Sequence, residues 1–446
     1  VEHDAHQFAS AFKEKIKGVL IILDEAEKIY RVVKKIDSGI FNFDFGELRG
    51  NNLEEDLKQR DFTINALVWK VSPELDFDNI VDLIGGYKDL KNKSVRMIDS
   101  SAFDGDPLRL LRAFRIAAQY SFNIDSVTYE EIKKKKELIN NSSSERIHDE
   151  LIKLLNVPNS FDYIEHLDNS GLLEQIFEEI SSMKQADDYY FHPKGLWGHS
   201  KEVLYCFEFI LKNLNKLLPQ ELYEYCINYL HTNNRLSCLK LVCLFHDIGK
   251  PECFSIQDKV RFFGHDILSA KYINEIMKRL RFSNRDINFA KKTTAFHMYA
   301  GNLAKQDQIT DRACYRYFRR TEESSISILL FTMADWLASI RGADNISYKS
   351  GIKEDEFKYK DFSLLLNAVK RIISWYIEAK KTVKLERLVT GHDIMKNFGL
   401  KPGNIIGQIL DAVQEAQAEG AVTSREQVLE FVKRWLIKNK DKNETC

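Results

Sequence analysis

The periodicity of apolar residues changes once along this chain, near Val95, and that change limits the folds open to it. Before it, Ile40-Phe41-Asn42-Phe43-Asp44-Phe45 alternates apolar with polar, the period of a strand with one wet face. Val19–Leu23 and Ile29–Val33 have strand length and composition, while Phe8–Ile16 has helical spacing. Beyond Val95 apolar residues recur three and four apart, as at Leu108, Leu111, Ile116 and Ala117, and the text stays helical to the end. The expectation is a multidomain, mainly α protein: a small α/β head (1–95), a helical neck (96–165), a helical middle domain (166–350) and a helical tail (351–446). Turn-forming breaks fall at Asn140-Asn141-Ser142-Ser143-Ser144, Ala186-Asp187-Asp188, Lys349-Ser350-Gly351 and Lys401-Pro402-Gly403.

With 446 residues, 44% of them hydrophobic, the chain can bury two to four cores. No run approaches the roughly 18 uncharged apolar residues that cross a bilayer, so no membrane partner is expected. Seven cysteines, without a Cys-x-x-Cys pair and mostly in apolar helical text, read as reduced buried thiols of a cytoplasmic protein. Net charge is −1, so a polyanion would be held by a local patch. Lys133–Lys136 is one candidate patch; a solvated helix face is the plainer reading.

Two segments carry the head's chemistry: Arg60-Asp61-Phe62-Thr63-Ile64-Asn65-Ala66-Leu67, then Asp106-Pro107-Leu108-Arg109-Leu110-Leu111-Arg112-Ala113-Phe114-Arg115. The first suits a tight strand-to-helix corner, with Asp61 or Thr63 capping and Phe62, Ile64 and Leu67 plugging the core. In the second, Asp106 and Arg109 stand three apart, a spacing that puts them on one helical face.

Together these segments resemble the CCA-adding tRNA nucleotidyltransferase and bacterial poly(A) polymerase family. The resemblance implies that Arg60 and Asn65 face nucleotide phosphate or sugar, and that Asp106 and Arg109 read the Watson–Crick edge of CTP or ATP. Arg112 and Arg115 would extend that basic face. Gly105 stands where the family has Glu, which bears on how Arg109 is supported. Asp44 is the candidate third carboxylate for catalytic Mg2+, although a lone strand Asp is as often polar surface. The family also opens with a Gly-Gly-x-x-Arg-Asp loop and an Asp-x-Asp metal pair, neither of which precedes Arg60. Val1-Glu2-His3-Asp4-Ala5 resembles the text just after that pair, so the expectation is that a strand, helix and strand, roughly 25 residues, stand upstream. The alternative is a head without metals.

A second chemistry lies in Phe245-His246-Asp247-Ile248-Gly249-Lys250-Pro251, whose His-Asp dipeptide can offer two adjacent ligands to one metal. It resembles the HD phosphohydrolases, and the resemblance adds His199 and Asp335 as further ligands and His265 and His297 for a second metal. Such a set suits Mn, Ni, Co, Fe or Mg. Lys250 could steady a phosphate or merely follow a helix end. His192 and His231 read as ordinary packed or surface histidines. Downstream, Asn169-Ser170-Gly171-Leu172-Leu173 and Gly391-His392-Asp393-Ile394-Met395 with Phe398–Gly407 resemble the family's neck turn and tail. Gly403 and Gly407 could admit a phosphate or, more simply, helix packing.

The reading is a cytoplasmic tRNA 3'-end nucleotidyltransferase, adding CCA or only CC or A from CTP and ATP, with an HD phosphohydrolase domain. It would bind tRNA at the acceptor stem and elbow. The rivals are a poly(A) polymerase and an HD phosphohydrolase whose inactive head only binds RNA.

Overall fold

The computed structural model describes residues 4–69, 79–186, 194–256, 258, 260–344, 351–382 and 388–439. His192, Cys446, Asp187-Asp188 and Lys349-Ser350 lie outside the described residues. The chain divides into two compact units: residues 1–143 with 167–175, and residues 144–166 with 176–446.

In the first unit, α1 (Ala5–Ile16) packs on one face of an antiparallel sheet of β1 (Val19–Asp24), β2 (Ile29–Ile36) and β3 (Gly39–Phe45). Asp4 caps α1 by accepting the Gln7 N–H. Ala5 and Ala9 let the helix lie close over Tyr30 and Val32, and Phe12, Ile16, Leu20 and Phe45 close the edges of that core. The alternation read at 40–45 is therefore a strand, with Phe43 and Phe45 turned toward Phe12.

After α2 (Leu53–Lys58), the corner Thr63–Asn65 is a single 3-10 turn. Phe62 is its first flanking residue and has no side-chain cap, contrary to the expected capping by Asp61 or Thr63. Asp61 instead accepts the Phe62 N–H at 2.8 Å, and the Thr63 hydroxyl donates to Asp89 at 2.6 Å. Phe62, Thr63 and Ala66 are buried, whereas Ile64 and Leu67 are only half-buried. The corner is fixed from behind by α3 (Gly86–Lys91): a Cβ at Gly86 would stand 2.1 Å from the Thr63 carbonyl oxygen, so only glycine permits this approach. Asp82 sets the start of α3 by accepting the N–H groups of Gly85, Gly86 and Tyr87.

Next come α4 (Ala102–Gly105) and α5 (Arg109–Tyr120), the latter burying Leu110, Leu111, Ala113, Phe114, Ile116 and Ala117. Asp106 has extended backbone before α5, so it does not share a helical face with Arg109 as the three-residue spacing suggested. Two short ladders interrupt the helical text: Ser94–Val95 pairs parallel with Asn123–Ile124, and Ser255–Ile256 pairs with Val260–Arg261. In the Lys133–Lys136 run, Lys133 pairs with Glu130, Lys134 with Glu131 and Lys135 with Asp104.

The second unit is helical around Gly195–Leu217, Arg235–Phe245, His265–Arg279, Asn284–Ala295 and Ser325–Ala343. The stretch Asp311–Ala343 has the length and apolarity that would suit a bilayer by composition, yet it carries charges such as Asp335 and Arg341, and 72% of its most apolar window is buried inside the protein. Arg341, wholly buried on that stretch, is matched by Glu202 and Glu356. The last three helices, Gly391–Phe398, Asn404–Ala418 and Arg425–Lys438, close over a core of Ile394, Ile406, Ile409, Val413, Val428 and Val432. Here the packing expected of Gly403 and Gly407 fails: a Cβ at either meets nothing within 4 Å. Gly391 is the crowded one, with Ile406 Cγ2 at 3.2 Å. The described cysteines are free, and all but Cys253 are buried.

Candidate functional site

Two groupings of functional side chains emerge, one in each unit. In the first unit a cleft of about 370 Å3 is lined by Asp44, Arg49, Asp56, Arg60, Asp61, Asn65, Arg109 and Arg112, among others. Five of the head residues named from sequence thus meet, whereas Asp106 and Arg115 are not among its lining residues.

The acids of this cleft are matched by cations. Asp44 sits opposite Arg31 in the β2–β3 register, and both its oxygens accept from that guanidinium, at 2.6 and 2.7 Å. Arg31 holds the Asp44 carboxyl below its usual range. Asp61 accepts from Asn65 at 3.1 Å and from Arg112 at 3.3 Å. Arg109 donates to the backbone carbonyls of Gln59, Arg60 and Ala102, at 2.9, 3.4 and 3.2 Å. It therefore joins the start of α5 to the corner, and burial lowers its pKa against the pull of Asp61 and Asp106. Asp106 accepts the Leu108 N–H, and Arg115 donates to Gln119. At Gly105 a Cβ would meet nothing within 4 Å, so an acid there would have room.

In the second unit the six residues named from sequence come together. His199 rides on Gly195–Leu217; His246 and Asp247 follow directly on Arg235–Phe245. His265 begins the helix His265–Arg279, behind Gly264 at φ 80°. Gly249 brings the turn after His246-Asp247 against the helix His265–Arg279: a Cβ there would lie 2.8 Å from the Ser269 nitrogen and 2.9 Å from the His265 carbonyl oxygen. That approach sets His265 Nε2 3.3 Å from Asp247 Oδ1.

His199, His246 and Asp247 form one triplet of potential ligands, and Asp247, His265 and His297 a second, with Asp247 shared. Asp335 joins the first, its Oδ1 3.1 Å from His199 Nε2 and 3.8 Å from His246 Nε2. The five triplet residues are each at most 7% exposed.

The tautomers follow from the backbone. Nδ1 of His246, His265 and His297 lies 3.1, 2.7 and 2.7 Å from the carbonyl oxygens of Cys243, Phe262 and Thr294. A carbonyl only accepts, so each Nδ1 carries the proton and a neutral ring turns its Nε2 lone pair inward. Those lone pairs face Asp247 oxygens at 3.1, 3.3 and 3.9 Å. Acceptor facing acceptor in a buried site calls for a cation between them, a proton on Nε2 or a metal, and ligand atoms at right angles around one metal stand roughly 3 Å apart. The donor set therefore fits a divalent metal.

When a proton fills that place, burial works against a charged His246, but Asp247 outweighs it and raises its pKa. Burial opposes the charge of Asp247, but His246 and Lys250 outweigh it and hold the carboxyl well below its usual range. Burial likewise works against Asp335, yet its hydrogen bond from His199 and the charge of His246 hold it at about 2. Burial pushes His297 down to about 4. Lys250 Nζ stands 2.5 Å from Asp247 Oδ2 and over the Phe262 ring.

Sequence reasoning missed Asp56, Asp82, Gly86 and the three carbonyl acceptors of the histidines. Asp82-x-x-Gly-Gly is a legible turn signal; the carbonyls carry no residue identity and leave no mark in the text.

Known families match four successive segments of the chain. Residues 3–96 match the poly A polymerase head domain, and residues 121–184 the probable RNA and SrmB-binding site of polymerase A. Residues 196–340 match the HD domain and residues 360–432 domain 2 of tRNA nucleotidyltransferase. Among curated relatives, the A-adding tRNA nucleotidyltransferase of Deinococcus radiodurans is 28% identical over 96% of this chain and 88% of its own. The CC-adding tRNA nucleotidyltransferase of Thermus thermophilus is 26% identical over 97% and 88%. Among solved structures, a CCA-adding enzyme with CTP covers 98% of this chain and 85% of its own, with a TM-score of 0.62 at 20% identity. The Thermotoga maritima CCA-adding enzyme complexed with tRNA covers the same shares, with a TM-score of 0.59 at 19% identity. At such identities the last two speak for the fold.

Proposed function

The chain belongs to the CCA-adding tRNA nucleotidyltransferase and poly(A) polymerase family, and from that premise we propose that it adds C, A or both to tRNA 3' ends, with an HD phosphohydrolase in the same polypeptide. One observation carries the reading: head, RNA-binding, HD and tRNA nucleotidyltransferase segments follow one another in a chain aligned nearly end to end with A-adding and CC-adding relatives.

In this reading the cleft of the first unit receives CTP or ATP. Arg60 and Asn65 meet phosphate and sugar, the fork of Arg60 being suited to paired oxygens. Asp106 and Arg109 read the base edge, Arg109 from a position tied to the Arg60 carbonyl. Arg112 and Arg115 add positive potential along α5. Among the described residues the cleft gathers no cluster of carboxylates suited to a catalytic Mg2+, and Asp44 is engaged by Arg31. The tRNA acceptor stem and elbow would be bound through shape and phosphates.

In the HD centre His199, His246, Asp247 and Asp335 would hold one divalent metal, of the Mn, Ni, Co, Fe or Mg class, and His265 and His297 with Asp247 a second. The metal would supply an activated water and a partner for a phosphoryl oxygen. The carbonyls of Cys243, Phe262 and Thr294 keep three rings in the binding tautomer, and Lys250 offers a cation beside Asp247. Free buried thiols suit a cytoplasmic setting.

The test is extension of tRNA transcripts ending at the discriminator base, after C or after CC, by the full-length protein with CTP, ATP or both. Addition that stops within the CCA sequence supports the reading. Long adenylate runs favour a poly(A) polymerase, and no addition alongside intact phosphoester hydrolysis favours the HD enzyme with an inactive head.

A further inference from the structure

Asp56 is a carboxylate with 5% of its surface exposed, on a helix of the cleft wall where an acid would be expected to face water. Both its oxygens are committed. Oδ1 accepts the backbone N–H of Arg49 at 2.9 Å, which ties the segment after β3 to α2. Oδ2 accepts from Arg60 Nε at 3.1 Å and from a terminal nitrogen of the same guanidinium at 3.0 Å. The other terminal nitrogen of Arg60 donates to the Asn65 carbonyl at 3.2 Å.

A guanidinium has five N–H donors in a rigid plane. Three are taken by Asp56 and Asn65, and they fix that plane; the other two belong to a side chain that is 41% exposed and lines the cleft. We propose that Asp56 is a positioning residue for nucleotide binding: it aims the Arg60 fork at a nucleotide phosphate while holding the Arg49 segment against it. The inference rests on the cleft being the nucleotide site. An ordinary i,i+4 ion pair at a surface contributes little and has no reason to be buried on one side. Here the buried partner also holds backbone from a different element, so the pair joins two walls of one cleft.

The experiment uses the full-length protein with Asp56→Asn, Asp56→Glu, Arg60→Gln and the Asp56→Asn/Arg60→Gln double variant. Steady-state transfer to tRNA is followed together with equilibrium binding of CTP and ATP. Asp56→Asn keeps an acceptor for Arg49 and removes the charge that orients Arg60. The expected result is a KM for nucleotide, and a dissociation constant, raised about tenfold with kcat within about threefold of wild type. Asp56→Glu recovers part of the loss, and Asp56→Asn adds nothing in the Arg60→Gln background. Unchanged nucleotide affinity in Asp56→Asn overturns the inference, as do independent, multiplying effects in the double variant. A variant that loses kcat and thermal stability together with affinity unchanged also overturns it, since that is the mark of a purely structural ion pair. A wild-type protein that binds CTP and ATP but does not transfer them would overturn the proposed function alone, with the binding comparison still deciding the role of Asp56.

Discussion

The cleft of the first unit and the HD centre of the second use the same kinds of residue to opposite ends. In the cleft, Asp44 is paired with Arg31, Asp56 with Arg60 and Asp61 with Arg112, at 2.6 to 3.3 Å. In the HD centre, imidazole nitrogens and carboxylate oxygens converge within 3.1 to 3.9 Å. The first arrangement is neutralised from within and can stand without a bound ion; in it Arg60 is oriented by Asp56 and the Asn65 carbonyl. The second gathers acceptors against acceptors and is completed by a cation from outside. A polyanionic substrate and a divalent metal thus call for different local charge balances, and a single chain supplies both.

The sharpest way to break this comparison is Asp247→Ala. Asp247 is common to both ligand triplets, so bound metal and phosphohydrolase activity should fall together to background. Metal analysis of the purified variant checks this, and full metal content would refute the ligand assignment.

In the cleft, Arg109→Ala should make C and A incorporation indiscriminate while hydrolysis by the HD centre is unchanged. The substitution also strips donors from three carbonyls, at a cost of about 1–3 kcal/mol in stability. Sequencing of extended tRNA ends, with thermal unfolding as control, separates the two effects; unaltered selection would remove Arg109 from base reading. Asp106→Ala should also alter selection, with the loss of the Leu108 N–H bond as its local cost.

Chelation sharpens the contrast from the other side. Metal at a hundred times its dissociation constant stabilises by about 2.7 kcal/mol, so its removal should lower the unfolding midpoint of the metal-bearing unit by about 4 °C. Unfolding of the first unit should not move, and calorimetry with and without chelator reads both.

The least direct effect on the chemistry is expected at Gly86→Ala. Its Cβ would meet the Thr63 carbonyl at 2.1 Å, and relief of that clash costs about 1–3 kcal/mol while shifting the corner that carries Arg60 and Asn65. A lowered melting temperature with weakened nucleotide affinity is the expected pair of readouts.

The sequence was informative where one residue type has one use. The alternation at 40–45 and the spacing of three and four after Val95 read directly as strand and helices, because burial of one face imposes those periods. Of the six HD residues, the His246-Asp247 dipeptide was legible from its chemistry, and His199, His265, His297 and Asp335 only through the resemblance to HD phosphohydrolases. What stayed hidden depends on distances no spacing encodes. Nothing in the text around Asp56 tells that its carboxylate turns inward to Arg49 and Arg60. The spacing of Asp106 and Arg109 suggested a shared face because the helix start at Arg109 was invisible before Pro107-Leu108. Gly403 and Gly407 looked like packing glycines, yet Gly391 is the one in contact.

The claim that two separately built chemistries share this chain is tested most directly by one paired measurement on the full-length Asp247→Ala protein. Nucleotide addition to tRNA and phosphoester hydrolysis are followed in the same preparation, with folding checked by calorimetry. The account predicts addition at the wild-type rate with hydrolysis absent. Loss of both activities in a folded protein would contradict it.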